Sequence, residues 1–206
     1  NIDDFTEGQW VAIYDTFKNK PTSAQINAIT RYKNGATVLN SILSGTMCQD
    51  NRGEPLQQIL TYVNDLTSCI ATHPLEEEII VYRGEGYQLL DSANVELEIE
   101  GQKINKPLSK ILEEISYYPK DKRDKYLYAL KAFMGDHEIS ATQERFMSTA
   151  ALKSECFPNK LNWEITLPKG SQAMYLDTLI VNKAYAEQVE FLVQRGANIK
   201  LESIEF

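Results

Sequence analysis

Apolar residues recur three and four positions apart through the first 75 residues. The spacing runs through "EGQWVAIYDTF", "QINAITRYK" and "ATVLNSIL" and continues for several turns in "EPLQQILTYVNDLTSCIATH", so the front of the chain is predicted to be helical. Thr22 or Ser23 is placed to cap the second helix, and the Asn34-Gly35 pair punctuates the run. At "EEEIIVYRGEG" the texture changes to a compact run of β-branched and aromatic residues ending in glycines, which predicts a strand. "NVELEIEGQKI" alternates polar and apolar residues about a glycine and reads as an exposed hairpin, whereas "KPLSKILEEISYY" and "KRDKYLYALKAFMG" return to helix. The rear then reads as strands: "RFMSTA", "LNWEITLP", "AMYLDTLIV", "VEFLV" and "NIKLESIEF". Helices first and strands mostly last imply an α+β fold, with sheets packed on each other or on the helical lobe.

Composition narrows the function. At 206 residues the expectation is a single domain, with a helical lobe over 1–75 and a β core over 78–206. Hydrophobic residues make up 43% and charged residues 24%, and no apolar run approaches the ~20 residues of a membrane span. A net charge of -8 argues against a general grip on the nucleic-acid backbone, which needs a basic stripe. The cysteines Cys48, Cys69 and Cys156 are odd in number and widely spaced, which suggests neither a disulfide framework nor a zinc cluster. His73 and His137 lie apart, and the Glu76 to Glu78 run reads as a solvated turn, so no metal is expected. The chain opens at Asn1 without a basic-then-apolar leader and reads as a segment of a longer protein.

Three strand-associated features carry candidate chemistry: Arg83 in "VYRGEG", Ser148-Thr149 in "RFMSTA", and Gln188-Val189-Glu190. Each alone has an ordinary reading. Arg83 can pair with a nearby glutamate, the hydroxyls can end a strand, and Glu190 can face solvent on an alternating strand between inward Val189 and Phe191. Their order and separation resemble the mono-ADP-ribosyltransferases of bacterial toxins, in which a strand arginine, a Ser-Thr-Ser and a Gln/Glu-x-Glu form the NAD site. The likeness extends to the Rho-modifying exoenzymes of clostridial type and to toxin-complex effectors. "NAITRYKNGATVLNSIL" is similar to their early helices, with Asn40 and Leu43 in an Asn-x-x-Leu-Arg signature, and "LPKGSQAMYLD" is similar to their Lys-Gly turn between central strands.

The resemblance implies an ADP-ribosyltransferase fold, a helical N-terminal lobe packed on a two-sheet β-sandwich, with NAD as co-substrate. Breaking the bond from nicotinamide to ribose develops positive charge on the sugar, which calls for a fixed carboxylate; this role falls to Glu190. Arg83 would hold the pyrophosphate, with Gly84 allowing close backbone approach. Ser148 would hold Glu190 by a hydrogen bond, and Thr149 would brace the neighbouring backbone or the nicotinamide end. Asn40 would serve the NAD site, Phe157 would stack, and Lys160 would stand near the position of a family arginine. Tyr185 and Gln188 would recognise the acceptor, and an amide at 188 points away from arginine toward Asn, Gln or Thr.

The chain departs from the family pattern at three places. Ala150 replaces the third residue of Ser-Thr-Ser, Ser44 stands where the signature has arginine, and 87–137 is longer than in the compact exoenzymes, as an insert would be. A lysine or Arg31 would have to replace the missing phosphate contact. The expected partner is a host protein such as a small GTPase or actin, with no nucleic acid and no membrane insertion by this domain, which would act as a monomer. Delivery would be from a bacterium, within a longer protein, into the host cytosol. An NAD glycohydrolase and a catalytically silent binding domain of the same fold stand as alternatives.

Overall fold

Thr22 starts the first described helix by satisfying two exposed amides reciprocally. Its hydroxyl accepts from the Gln25 N–H at 3.2 Å, while the Gln25 side-chain oxygen accepts from the Thr22 N–H at 2.9 Å. The computed structural model describes residues 20–46, 53–176 and 189–206. The helix expected over "EGQWVAIYDTF", Tyr185 and Gln188 lie outside the described residues. Within them the helical front resolves into α1 (Ser23–Lys33), α2 (Ala36–Leu43) and α3 (Leu56–Ala71). Ile59, Val63, Leu66 and Ile70 repeat at helical spacing and are buried along one face of α3, together with Ala28, Ile29 and Tyr32 of α1.

These helices share one core with a five-stranded sheet, to which Phe146, Met174 and Leu192 contribute. The strands are β1 (Ile79–Glu85), β5 (Met147–Ala150), β6 (Leu161–Leu167), β7 (Ala173–Tyr175) and β8 (Glu190–Val193), in the order β6-β1-β5-β8-β7. β5 pairs antiparallel with β8, which sets Ser148 opposite Leu192, Thr149 opposite Phe191 and Ala150 opposite Glu190. Tyr82 of β1 in turn stands opposite Ala150. Paired residues share a face, so Glu190 lies on the same side as Leu192, whose partner Met174 belongs to the core beneath the helices. Phe191 lies on the other side, with its ring centroid 5.1 Å from that of Tyr175.

The chain divides into two compact units, and all of the above falls in the first, formed by Asn1–Gly84, Glu144–Pro158 and Asn162–Gly196, apart from the end residues Glu85 and Leu161. The second unit holds Glu85–Gln143, Asn159–Leu161 and Ala197–Phe206, and so contains all of 87–137. Here β2 (Asn94–Ile99) and β3 (Gln102–Pro107) form a hairpin. Glu100 and Gly101 turn it with φ of 52° and 78°, the left-handed pair of a type I′ turn. The expectation of an exposed hairpin needs correction, because Val95 and Leu97 are buried. They belong to a core with Leu108, Ile111 and Ile115 of α4 (Leu108–Ile115) and Leu130 of α5 (Lys120–Asp136). A strand the sequence pattern did not predict, β4 (Ile139–Gln143), pairs antiparallel with β9 (Ala197–Leu201). No described helix is long and apolar enough to cross a membrane.

Candidate active site

A cavity of about 260 Å³ opens in the first unit, where the end of α1 meets the edges of β1, β5 and β8. Helix α1 contributes Tyr32 and Lys33, β1 contributes Tyr82, Arg83 and Gly84, β5 contributes Ser148 to Ala150, and β8 contributes Glu190. The wall is completed by the chain after β5, where a short 3₁₀ turn (Lys153–Glu155) leads to Cys156 and Phe157. Phe157 is 78% exposed, an aromatic face left open beside the cavity.

One hydrogen-bonded chain ties the helices to the sheet here. The Asn40 amide donates to the Tyr32 hydroxyl at 3.3 Å, and that hydroxyl shares a 2.9 Å hydrogen bond with the Ser148 hydroxyl. The other end of the same amide accepts from the Phe146 N–H at 3.1 Å, just before β5 begins. Arg83 reaches across from β1 and donates to the Ser148 carbonyl at 2.7 Å, while the Thr149 hydroxyl donates to the Phe191 carbonyl at 2.8 Å. Burial raises the Tyr32 phenol above its ordinary pKa. Its hydrogen bonds to Ser148 and Asn40 pull the other way, the Glu190 charge raises it further, and Arg83 lowers it.

Glu190 is buried at the first position of β8, and its Oε2 stands 2.8 Å from the ammonium of Lys33. The two side chains are only 8% and 4% exposed, so this is an ion pair out of bulk water. The residue before it, Val189, has φ of +48°, a left-handed conformation that a β-branched side chain adopts only under strain. Neighbouring strands hold it there: the Ala151 N–H donates to the Val189 carbonyl at 2.8 Å and the Leu176 N–H donates to the Glu190 carbonyl at 2.9 Å.

Of the residues singled out from sequence, Arg83, Gly84, Ser148, Thr149, Phe157 and Glu190 meet at this cavity. Asn40 stands behind Tyr32 and acts on the cavity through it. Lys160 is not among the lining residues; its N–H is held by the Asn159 side chain at 2.8 Å. Ser148 does not hold Glu190 by its hydroxyl as expected, because the register places Ala150 opposite the acid and α1 brings Tyr32 to the serine. At Ser44, where the family signature has arginine, the guanidinium of Arg145 donates to the serine hydroxyl at 3.0 Å. Arg31 is engaged with Glu54, 2.7 Å away.

Sequence reasoning missed Tyr32 and Lys33. The helical period does mark Tyr32 as an inward position with Ala28 and Ile29, but a basic residue in the last turn of a helix ordinarily reads as a solvated partner of the helix dipole. Among the described residues no cluster of three or more His, Cys, Asp or Glu is placed to hold a metal ion.

A family model, the ADP-ribosyltransferase exoenzyme, matches residues 9–206. Among solved structures, the chain superposes on an ADP-ribosylating toxin of a binary enterotoxin of C. perfringens, solved with NADH, with a TM-score of 0.66 and 21% identity. That match covers 96% of this chain and 42% of the toxin's, so the chain spans less than half of that relative. An ADP-ribosyltransferase from Clostridium botulinum matches with a TM-score of 0.65 and 19% identity over 96% of this chain and 87% of its own. A protein from S. aureus, solved with NAD, matches with a TM-score of 0.61 and 21% identity over 91% and 81%. At these identities the likeness establishes the fold. No curated protein sequence matches the chain. The family match spans both compact units and every described strand, and on that ground the chain belongs to the ADP-ribosyltransferase exoenzyme family.

Proposed function

We propose that the chain is the catalytic domain, over 1–206, of a mono-ADP-ribosyltransferase that takes ADP-ribose from NAD and places it on an Asn, Gln or Thr side chain of a host protein. The observation that carries this reading is a carboxylate, Glu190, and a guanidinium, Arg83, on the wall of one cavity. NAD supplies the ADP-ribosyl group and nicotinamide as leaving group. Its chemistry suits the donors present: a planar guanidinium grips a pyrophosphate by paired, charge-assisted hydrogen bonds, and the exposed Phe157 ring offers a stacking face.

In this reading Arg83 fixes the phosphates, and the Ser148 carbonyl fixes Arg83 in turn. Glu190 stands at the cavity wall on a backbone held from both sides, which fixes where its carboxylate meets positive charge developing on the ribose. Thr149 locks β5 to β8 through the Phe191 carbonyl and keeps Arg83 and Glu190 in register. Gln188 and Tyr185 present the acceptor. Gln188 as an amide disfavours arginine, and a small GTPase or actin is the class of target by family likeness. The domain acts in a host cytosol after delivery from a bacterium as part of a longer protein.

The test is incubation of the domain and of Glu190→Gln with labelled NAD and a eukaryotic lysate, followed by mass spectrometry of labelled proteins. A discrete labelled protein made by the wild type, with labelling reduced on the order of 10²-fold or more in the variant, supports the reading. Equal labelling by both removes Glu190 from the chemistry. Free ADP-ribose without a labelled protein makes the enzyme an NAD glycohydrolase, and intact, unbound NAD makes it a silent binding domain.

A further inference from the structure

A carboxylate with an ammonium at 2.8 Å is largely neutralised, and so has little left to offer an adjacent cation. If Glu190 is to stabilise positive charge on a ribose, Lys33 has to leave it. Both side chains are almost fully buried, so water does not readily take the ammonium when it goes. It needs an anion in the same cavity, and the ligand that brings the ribose brings one, since a dinucleotide carries a pyrophosphate with two negative charges. Arg83 lines that cavity together with Lys33. The arginine that the family signature places at position 44 is a serine here, with Arg145 drawn to its hydroxyl and Arg31 occupied by Glu54, so among the described residues Lys33 is the cation that faces the cavity from the helical side.

We propose that Lys33 is a diphosphate ligand parked on the catalytic carboxylate: nucleotide binding transfers its ammonium from Glu190 to the pyrophosphate, and this exposes the Glu190 charge only when substrate is present. The inference rests on the reading of the cavity as an NAD site and adds to it a second phosphate-binding residue and a coupling between occupancy and activation. A lysine suits the task better than an arginine, because its compact point charge on a flexible stem moves between two anions without a fixed fork to realign.

Lys33→Met alone leaves Glu190 buried without this partner and can fail to fold. The decisive comparison is therefore Glu190→Gln against the double variant Glu190→Gln/Lys33→Met, in which no charge is stranded. Folding is checked by thermal melts, and affinities for ADP-ribose and for adenosine are measured by calorimetry. In the Glu190→Gln background there is no carboxylate for Lys33 to position, so any effect of removing it reports contact with the ligand. The expected result is ADP-ribose binding weakened on the order of tenfold by the second substitution, with adenosine binding unchanged, the size of one charge-assisted contact.

Equal ADP-ribose affinities in the two variants overturn the proposal and leave Lys33 as a residue that only holds Glu190. In that case Lys33→Arg in the otherwise wild-type enzyme lowers kcat without raising KM, whereas under the proposal it raises KM. Failure of the wild type itself to bind ADP-ribose or NAD is a different outcome. It removes the NAD-site reading, and this inference falls with it.

Discussion

Replacing Asn40 with alanine separates a structural role from a ligand-binding one. The two ends of this amide bridge the helices to the start of β5, accepting from Phe146 N–H at 3.1 Å and donating to Tyr32 hydroxyl at 3.3 Å. Alanine keeps neither bond. The Phe146 N–H sits beside a ring that is essentially fully buried, and a donor stranded in such a place costs about 1–3 kcal/mol. Tyr32 keeps its bond to Ser148, so loss of the long neutral contact adds only ~0.5–1 kcal/mol. The sum, about 1.5–4 kcal/mol, corresponds to a fall in Tm of roughly 3–16 °C for a chain of this size. Urea denaturation followed by circular dichroism reads it directly, with an unchanged denaturant slope expected. ADP-ribose affinity, measured well below the melting temperature, should stay within about twofold of wild type, because the amide reaches the cavity only through Tyr32. A stability loss below ~0.5 kcal/mol combined with a large loss of affinity would refute this and make Asn40 a direct ligand.

Two further outcomes follow from the same geometry. Arg83→Lys keeps a charge but cannot both donate to the Ser148 carbonyl and offer a planar fork to a phosphate; NAD affinity should fall on the order of tenfold, and unchanged affinity counts against the phosphate role. Burial pushes the Cys69 thiol up to about 11. The folded state then holds this proton over a range where the unfolded chain, with a thiol near ~8.5, has lost it. The contribution to stability is complete below about pH 8.5 and is lost as pH rises through about 11. Denaturation midpoints compared at about pH 8 and pH 10.5 should therefore drop less in Cys69→Ala than in wild type, and parallel drops would contradict it.

The elements were legible where one physical signal dominated. Apolar residues at helical spacing marked α3, which buries one continuous face, and the compact β-branched run at Ile79 marked β1, which buries Val81 and Tyr82 on opposite faces. β4 escaped because "ISATQ" has only small or polar residues after its isoleucine. Its alternation of buried and exposed positions exists only once β9, more than 50 residues later, lies beside it. The exposed reading of the hairpin failed for a related reason, since alternation tells that one face is apolar but not that two helices will cover it. At the site, the residue types and order of Arg83, Ser148 and Glu190 could be read along the chain, but their partners could not. Which hydroxyl meets which acid depends on register across β5 and β8 and on where α1 ends, and neither leaves a local trace.

Glu190 shows how an acid comes to stand in a strand whose four residues are all buried. Alternation would expose every second residue of an edge strand, but β8 runs between β5 and β7 with Leu192 and Phe191 packed on opposite sides, so neither face is wet. A carboxylate tolerates that position only with a counter-charge, which Lys33 supplies from the end of α1. It also needs an approach that aims it, and here the backbone contributes. Val189 is held left-handed at a strain of about 1–3 kcal/mol, and the strain persists because its carbonyl and that of Glu190 are pinned by the N–H groups of Ala151 and Leu176. Such strain fits a chain whose turn into β8 is set by where the carboxylate must stand, at the wall of the cavity shared with Arg83 and Lys33.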